Sequence, residues 1–119
     1  MKIRIKGNSL RYRLTKGDMS ILEEKGELEE HTKFAGKTLI YSLKKTDKSM
    51  LAADFIENRI TLFMPADMIA EIIHTDKVGF QNTHGELFLL VEKDFTCLDN
   101  IEEDQSDNYP NPHSLNTTK

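Results

Sequence analysis

Strict alternation of apolar and polar side chains, interrupted by pairs of turn residues, constrains this chain more than any other feature. In residues 2–6, Ile3 and Ile5 alternate with three basic side chains, and after Gly7-Asn8 the alternation resumes. A period of two places successive side chains on opposite faces of a strand, so each segment buries one face. Glycine and asparagine tolerate positive φ, which suits a tight turn. Residues 2–14 therefore predict a β-hairpin, or one strand broken by a bulge.

Two segments change from this period to a helical pattern. Thr15 and Asp18 match the two polar positions of a capping box and Gly26 is a natural stop, which predicts a short helix over residues 16–25. Pro65 suits the first turn of a second helix, whose apolar side chains recur at helical spacing and end near residue 74.

The remaining segments predict three further strand pairs with short links: 28–34 with 37–44, 51–56 with 60–64, and 78–80 with 87–91. Short links favour hairpins, and the strands of a hairpin pair antiparallel. The predicted fold class is α+β, a mainly antiparallel twisted sheet or half-open barrel of about eight strands with two short helices. The sequence shows no internal repeat.

Charge divides the chain near residue 98. Residues 1–98 carry fifteen basic and fifteen acidic side chains, whereas residues 99–119 carry five acids against Lys119 alone. Pro110 and Pro112 exclude regular strand pairing in this second part. We therefore predict a single globular α+β domain over residues 1–98 and an acidic, proline-containing C-terminal tail over residues 99–119.

Composition is typical of a soluble globular protein, with 30% charged and 38% hydrophobic residues. No apolar run approaches the roughly 20 residues of a membrane helix, and the alternating start lacks the apolar core of a signal peptide. The single cysteine, Cys97, fits a reducing compartment. Balanced charge in the domain gives no indication of nucleic-acid binding. We expect a cytoplasmic protein with neither a membrane nor a nucleic acid as its partner.

Basic residues are concentrated in the first hairpin, where four are expected on the same side of neighbouring strands: Arg4, Lys6, Arg11 and Arg13. Arginines at that spacing can clamp a phosphate or carboxylate through paired hydrogen bonds. Two other interpretations stay open. The face is simply solvated or paired with acids of the same sheet, or the acidic tail docks on it through Asp104, Asp107 and Tyr109.

Motifs for catalysis and metal binding are missing from the sequence. Cys97 and the four histidines show no ligand spacing, and residues 102–107 lack the order of a calcium loop. No nucleotide-binding loop or nucleophile motif occurs. We expect no metal, no cofactor and no catalytic residue. The carboxyl groups placed best for acid–base chemistry are Asp54, inside an apolar strand, and Asp94, at the end of the last strand.

Both ends of the chain resemble an uncharacterised family of short bacterial proteins with a domain of unknown function. The motifs that carry the resemblance are KIRIKGNSLRYRLT near the start, then EKDF at residues 92–95, Cys97-Leu98, and EDQSDNYPNP at residues 103–112. The resemblance implies a bacterial, cytoplasmic protein and supplies no activity, cofactor or catalytic residue. It also implies that the tail is more than a linker.

The leading hypothesis is a non-enzymatic binding or interaction module whose basic face takes an anionic ligand or protein partner. The alternative is a small enzyme acting on an anionic substrate, with Arg11 and Arg13 positioning it and Asp54 or Asp94 moving a proton. A pocket in which an arginine and a desolvated carboxylate converge would favour the enzyme. A homodimer through an exposed strand edge is compatible with either.

Overall fold

A computed structural model describes residues 1–95, 107, 109 and 110. The elements follow in the order β1 (Lys2–Lys6), β2 (Ser9–Leu14), α1 (Lys16–Lys25), β3 (Glu27–Phe34), β4 (Lys37–Thr46), β5 (Ala52–Ile56), β6 (Arg59–Pro65), α2 (Ala66–His74), β7 (Gly79–His84) and β8 (Leu87–Lys93). These eight strands and two helices confirm the predicted α+β class. Cys97, Asp104 and most of the predicted tail lie outside the described residues.

The strands form two four-stranded sheets that do not close into a barrel. The first sheet has the order β1-β2-β8-β7 and the second has the order β3-β4-β6-β5. All four predicted hairpins are antiparallel, but the central pairs, β2 with β8 and β4 with β6, are parallel. Both sheets are therefore mixed. Short links determine which strands form hairpins, but they leave open which hairpins become neighbours.

The two sheets are assembled from a β-β-α-β-β unit that occurs twice along the chain. Each sheet joins the first hairpin of one unit to the second hairpin of the other. The pairing of Ser9 with Phe88 in the first sheet corresponds to that of Arg59 with Ile40 in the second. This repeat is structural, and the sequence does not reveal it because side chains at equivalent positions differ in chemistry.

The helices and the inward faces of both sheets share one core. Its fully buried members include Tyr12 and Leu14 of β2, Leu43 of β4, Leu22 of α1 and Ile72 of α2. Removal of these side chains from water is the main stabilising contribution to the fold. Since β2 and β6 each lead into a helix, both helices lie at one end of the sheets and the first-hairpin turns lie at the other.

Helix α1 begins with the predicted capping box. The hydroxyl of Thr15 accepts a hydrogen bond from the Asp18 nitrogen at 3.2 Å, and the Asp18 carboxylate accepts one from the Thr15 nitrogen at 3.0 Å. Gly26 ends the helix at a φ of 81°, which favours glycine. Neither helix of the described chain is long and apolar enough to span a membrane.

Candidate anion-binding face

Five basic side chains lie on the face of the first sheet that is turned away from the core. Because β1 and β2 are antiparallel, Lys2 pairs with Arg13 and Arg4 pairs with Arg11, and Lys6 follows on the same side of β1. We call this surface the basic face. Like charges on directly opposed positions repel each other, so the face favours the approach of an anion.

Glu92 of β8 supplies a carboxylate to this face because β8 lies beside β2 in the first sheet. The Nε of Arg11 donates to Oε1 of Glu92 at 2.7 Å, and the Nε of Arg13 donates to the same oxygen at 3.2 Å. A terminal nitrogen of Arg11 also forms an ion pair with that oxygen. Glu92 therefore fixes the orientation of both guanidinium groups. Sequence reasoning missed it, since its place beside β2 depends on the parallel pairing.

A small cavity of about 260 Å³ opens on the basic face, and we call it the basic pocket. Its lining combines three cations and a hydroxyl with apolar walls: Arg4, Lys6, Ser9, Leu10, Arg11, Phe88 and Leu90. Arg4 and Lys6 are exposed, and neither has an ion-pair partner in the part of the chain that the structure describes. Their donors are available to a ligand.

Asp94 lies just beyond the end of β8 and is only 3% exposed. Its Oδ2 forms an ion pair with the Nζ of Lys2 at 3.2 Å, without a well-aligned hydrogen bond. The backbone nitrogen of Asp94 donates to the Leu14 carbonyl oxygen at 2.9 Å, which extends the pairing of β8 with β2. Its carboxylate thus neutralises one edge of the basic face.

Two described residues of the predicted tail contact this same end of the first sheet. Asp107 accepts hydrogen bonds at the start of α1, from the Gly17 nitrogen at 3.2 Å through its carboxylate and from the Lys16 nitrogen at 3.3 Å through its carbonyl. The Tyr109 nitrogen donates to the Asp94 carbonyl oxygen at 2.8 Å. The described part of the tail therefore contacts α1 and the end of β8.

The ring of Tyr109 is held from two sides. The Nζ of Lys93 lies 4.9 Å from its centroid, and the Phe95 ring packs edge-on with centroids 6.1 Å apart. Burial raises the pKa of Tyr109, and the negative charge of Asp107 adds to that shift. Arg11 and Arg13 of the basic face, on which the tail was predicted to dock, bind Glu92.

Asp54 lies on β5 of the second sheet, whereas Arg11 and Arg13 lie on β2 of the first. Asp54 is exposed and lines a separate concave surface, of about 650 Å³, together with Lys44 and Arg59. The structure therefore does not bring Asp54 together with the arginines of the basic face, as an enzyme using that combination would need.

No group of three or more His, Cys, Asp and Glu side chains could hold a metal ion among the described residues. A family model described as a family of unknown function (DUF7009) matches residues 1–113, which agrees with the resemblance carried by both end motifs. The comparisons with curated proteins and with solved structures each returned no match.

Proposed function

Because the chain belongs to this family of unknown function, we propose its function from the geometry: it is a binding module whose basic pocket takes a phosphate or carboxylate group of a ligand. The observation that carries the proposal is the convergence of Arg4, Lys6 and Arg11 on one cavity, where the Ser9 hydroxyl donates to the Lys6 carbonyl oxygen at 2.8 Å. Guanidinium and ammonium donors form short, strong hydrogen bonds with such oxygens.

The volume of the basic pocket limits the size of the group that it can bind. Pockets that enclose a whole drug-sized molecule have volumes of about 300–1,000 Å³. At about 260 Å³ the basic pocket is smaller, so it accommodates one anionic group while the rest of the ligand lies over the sheet. Phe88 and Leu90 provide apolar surface beside the cations for that remainder.

Glu92 has a positioning role in this proposal. By accepting from the Nε of Arg11 and pairing with one of its terminal nitrogens, Glu92 reduces the rotational freedom of the guanidinium and leaves the other terminal nitrogen without a hydrogen bond in the described chain. An arginine held in this way loses less conformational entropy when it binds an oxyanion. Glu92 also weakens the local positive potential, so Arg4 and Lys6 carry most of the attraction for the ligand.

Binding is tested by recording amide NMR spectra of the full chain during titration with inorganic phosphate or citrate, with sodium chloride at matched ionic strength as the reference. We expect saturable shifts at the backbone amides of Ser9, Arg11, Phe88 and Leu90. Shifts that match those caused by chloride would overturn the proposal, because screening alone would then explain them.

Charge-reversal variants show whether the pocket itself binds the anion. We expect Arg4→Glu and Lys6→Glu each to weaken binding by about tenfold or more, which corresponds to about 1.4 kcal/mol. Lys33→Glu and Lys37→Glu are the matched controls, because they change the net charge equally on β3 and β4. Equal weakening by all four variants would mean that only net charge matters, and the pocket would be rejected.

A further inference from the structure

A second pocket lies where the loop between β4 and β5 meets the end of β7. Its volume of about 670 Å³ lies within the range of pockets that enclose a whole small molecule. We call it the loop pocket and define it by its apolar walls, which are Met50, Leu51, Ala52 and Phe63. It shares no lining residue with the basic pocket, so it is a separate candidate site.

The structural repeat explains why space is left at this place. The strand registers give three of the lining residues equivalents in the first sheet: Thr46 matches Asp94, Ala52 matches Lys2, and Phe63 matches Arg13. In the first sheet, Lys2 and Asp94 meet as an ion pair at 3.2 Å. Threonine and alanine are too short to meet across β6, since their strands lie about 9–10 Å apart. The second sheet therefore keeps an opening beside Phe63.

The loop that covers the pocket is held at both ends. The Thr46 hydroxyl accepts a hydrogen bond from the Lys48 backbone nitrogen at 3.3 Å. The side-chain amide of Asn82 bonds to the Leu51 nitrogen and to the Leu51 carbonyl oxygen, each at 2.9 Å. A pocket whose walls are fixed before binding loses less conformational entropy when a ligand enters.

Two polar residues of the loop pocket are suited to an anionic oxygen. The Nδ1 of His84 accepts from the Ala53 nitrogen at 3.1 Å, so the neutral ring carries its proton on Nε2, which becomes a donor. Within the described chain, neither this Nε2 nor the exposed ammonium group of Lys48 has a partner. No Asp or Glu is among the described residues that line the pocket, because Asp47 precedes Lys48 without lining it.

We propose that the loop pocket binds a small carboxylic acid with an apolar body. The body lies against Met50, Ala52 and Phe63, and the carboxylate accepts hydrogen bonds from the Nε2 of His84 and from Lys48. Methionine is suited to such a wall because its flexible thioether adapts to the shape of a ligand. A neutral ligand of the same shape would leave the charge of Lys48 without a partner, so the pocket favours the acid.

The test is a titration of the full chain with 2-naphthoate, followed by amide NMR. We expect saturable shifts at the amides of Phe63, Thr83 and His84. The neutral isostere 2-naphthamide should bind at least about tenfold more weakly, and acetate, which lacks the apolar body, should leave these amides unchanged. Shifts confined to the amides of the basic pocket would overturn the proposal, as would equal binding of the acid and the amide.

Variants of the lining show whether the ligand occupies the pocket. Ala52→Leu fills the space beside Phe63 and should weaken 2-naphthoate binding by about tenfold or more. Lys48→Gln should weaken it by about threefold or more. Lys45→Gln is the matched control, because it removes the same charge from an exposed lysine of β4 that does not line the pocket. Wild-type affinity in Ala52→Leu, or equal weakening by the two glutamine variants, would reject the site.

The two proposed sites can fail separately. Arg4→Glu changes the basic pocket and should leave the 2-naphthoate shifts at Phe63 and Thr83 as they are in the wild type. Ala52→Leu should in turn leave phosphate binding at the basic pocket unchanged. Loss of the Phe63 and Thr83 shifts in Arg4→Glu would show that 2-naphthoate does not bind independently in the loop pocket.

Discussion

The hydroxyl group of Tyr12 donates a hydrogen bond to the backbone carbonyl oxygen of Ser42 at 2.9 Å. Tyr12 lies on β2, a central strand of the first sheet, and Ser42 lies on β4, a central strand of the second. The bond therefore joins the two sheets inside the core, where Tyr12 is fully buried. A buried tyrosine usually finds a partner for its hydroxyl, because an unpaired polar group in the core is costly.

Replacing Tyr12 with Phe should lower the free energy of unfolding by about 1–2 kcal/mol, because the Ser42 carbonyl loses a buried donor. Urea unfolding followed by circular dichroism measures the change. Tyr41→Phe is the control, since within the described chain the hydroxyl of Tyr41 forms no hydrogen bond. Equal losses in the two variants would show that the Tyr12 bond does not stabilise the fold.

The free energy of unfolding should fall at alkaline pH because Tyr12 is buried in its protonated form. Burial raises the pKa of Tyr12 in the folded chain far above the value of about 10 that it has when unfolded. Its contribution to stability is therefore complete below about pH 10 and is lost as the pH rises toward the folded pKa. Above pH 10, the free energy of unfolding of the wild type should decrease more steeply than that of Tyr12→Phe, by up to about 1.4 kcal/mol per pH unit. Parallel curves would contradict this.

Asn82 joins β7, an edge strand of the first sheet, to Leu51, the residue directly before the edge strand β5 of the second sheet. Its side-chain oxygen accepts from the Leu51 nitrogen at 2.9 Å and its side-chain nitrogen donates to the Leu51 carbonyl at 2.9 Å. At the equivalent position of the first unit, the amino group of Met1 lies 2.9 Å from the Glu30 carboxylate. The same connection is therefore made twice with different chemistry.

Asn82→Ala should lower the free energy of unfolding by about 1–3 kcal/mol, because both backbone groups of Leu51 lose their partner. Gln81→Ala, a change to an exposed side chain on the neighbouring position of β7, should have an effect within about 0.5 kcal/mol. Thermal unfolding of both variants distinguishes these outcomes. An Asn82→Ala variant as stable as the wild type would mean that packing alone holds β7 against the start of β5.

Local signals in the sequence predicted the elements well. The period of two, the Thr15 capping box and the turn residues predicted all four hairpins and the bounds of α1. Each of these signals depends on residues close together in the chain, so it can be recognised without knowledge of the tertiary structure.

Long-range partners were not predictable in the same way. The exchange of hairpins between the two units places Glu92 beside Arg11, across a sequence separation of 81 residues. Hydrophobic alternation predicts which face of a strand is buried, but it does not predict which strand lies next to it. Four cations of the basic face were therefore predicted from the sequence, and the structure added Lys2 and the carboxylate that orients two of the arginines.

Gly79 leaves room for Glu92 to reach the arginines of the basic face. The two residues are paired between β7 and β8, and a Cβ on Gly79 would lie 2.8 Å from the Glu92 Cβ and would also contact the Val91 carbonyl oxygen. Gly79→Ala should lower the free energy of unfolding by about 1–3 kcal/mol, because the strands must move apart. Thr83→Ala, on the same face of β7, is the control. A Gly79→Ala variant as stable as that control would show that β7 shifts without strain.

The contact of Asp107 with the start of α1 can be tested by a double-mutant cycle. Asp107→Ala should cost about 0.5–1 kcal/mol, because the carboxylate satisfies the free Gly17 nitrogen and lies at the positive end of the helix dipole. In an otherwise unchanged helix, Gly17→Ala should stabilise by up to about 1 kcal/mol, since alanine favours helix. With Asp107 present, however, the added Cβ would lie 2.8 Å from its Oδ2 and must displace the carboxylate. We therefore expect Gly17→Ala to be neutral or destabilising in the wild type and stabilising in the Asp107→Ala background, as measured by urea unfolding. An equal gain in both backgrounds would show that Asp107 does not bind α1 in solution.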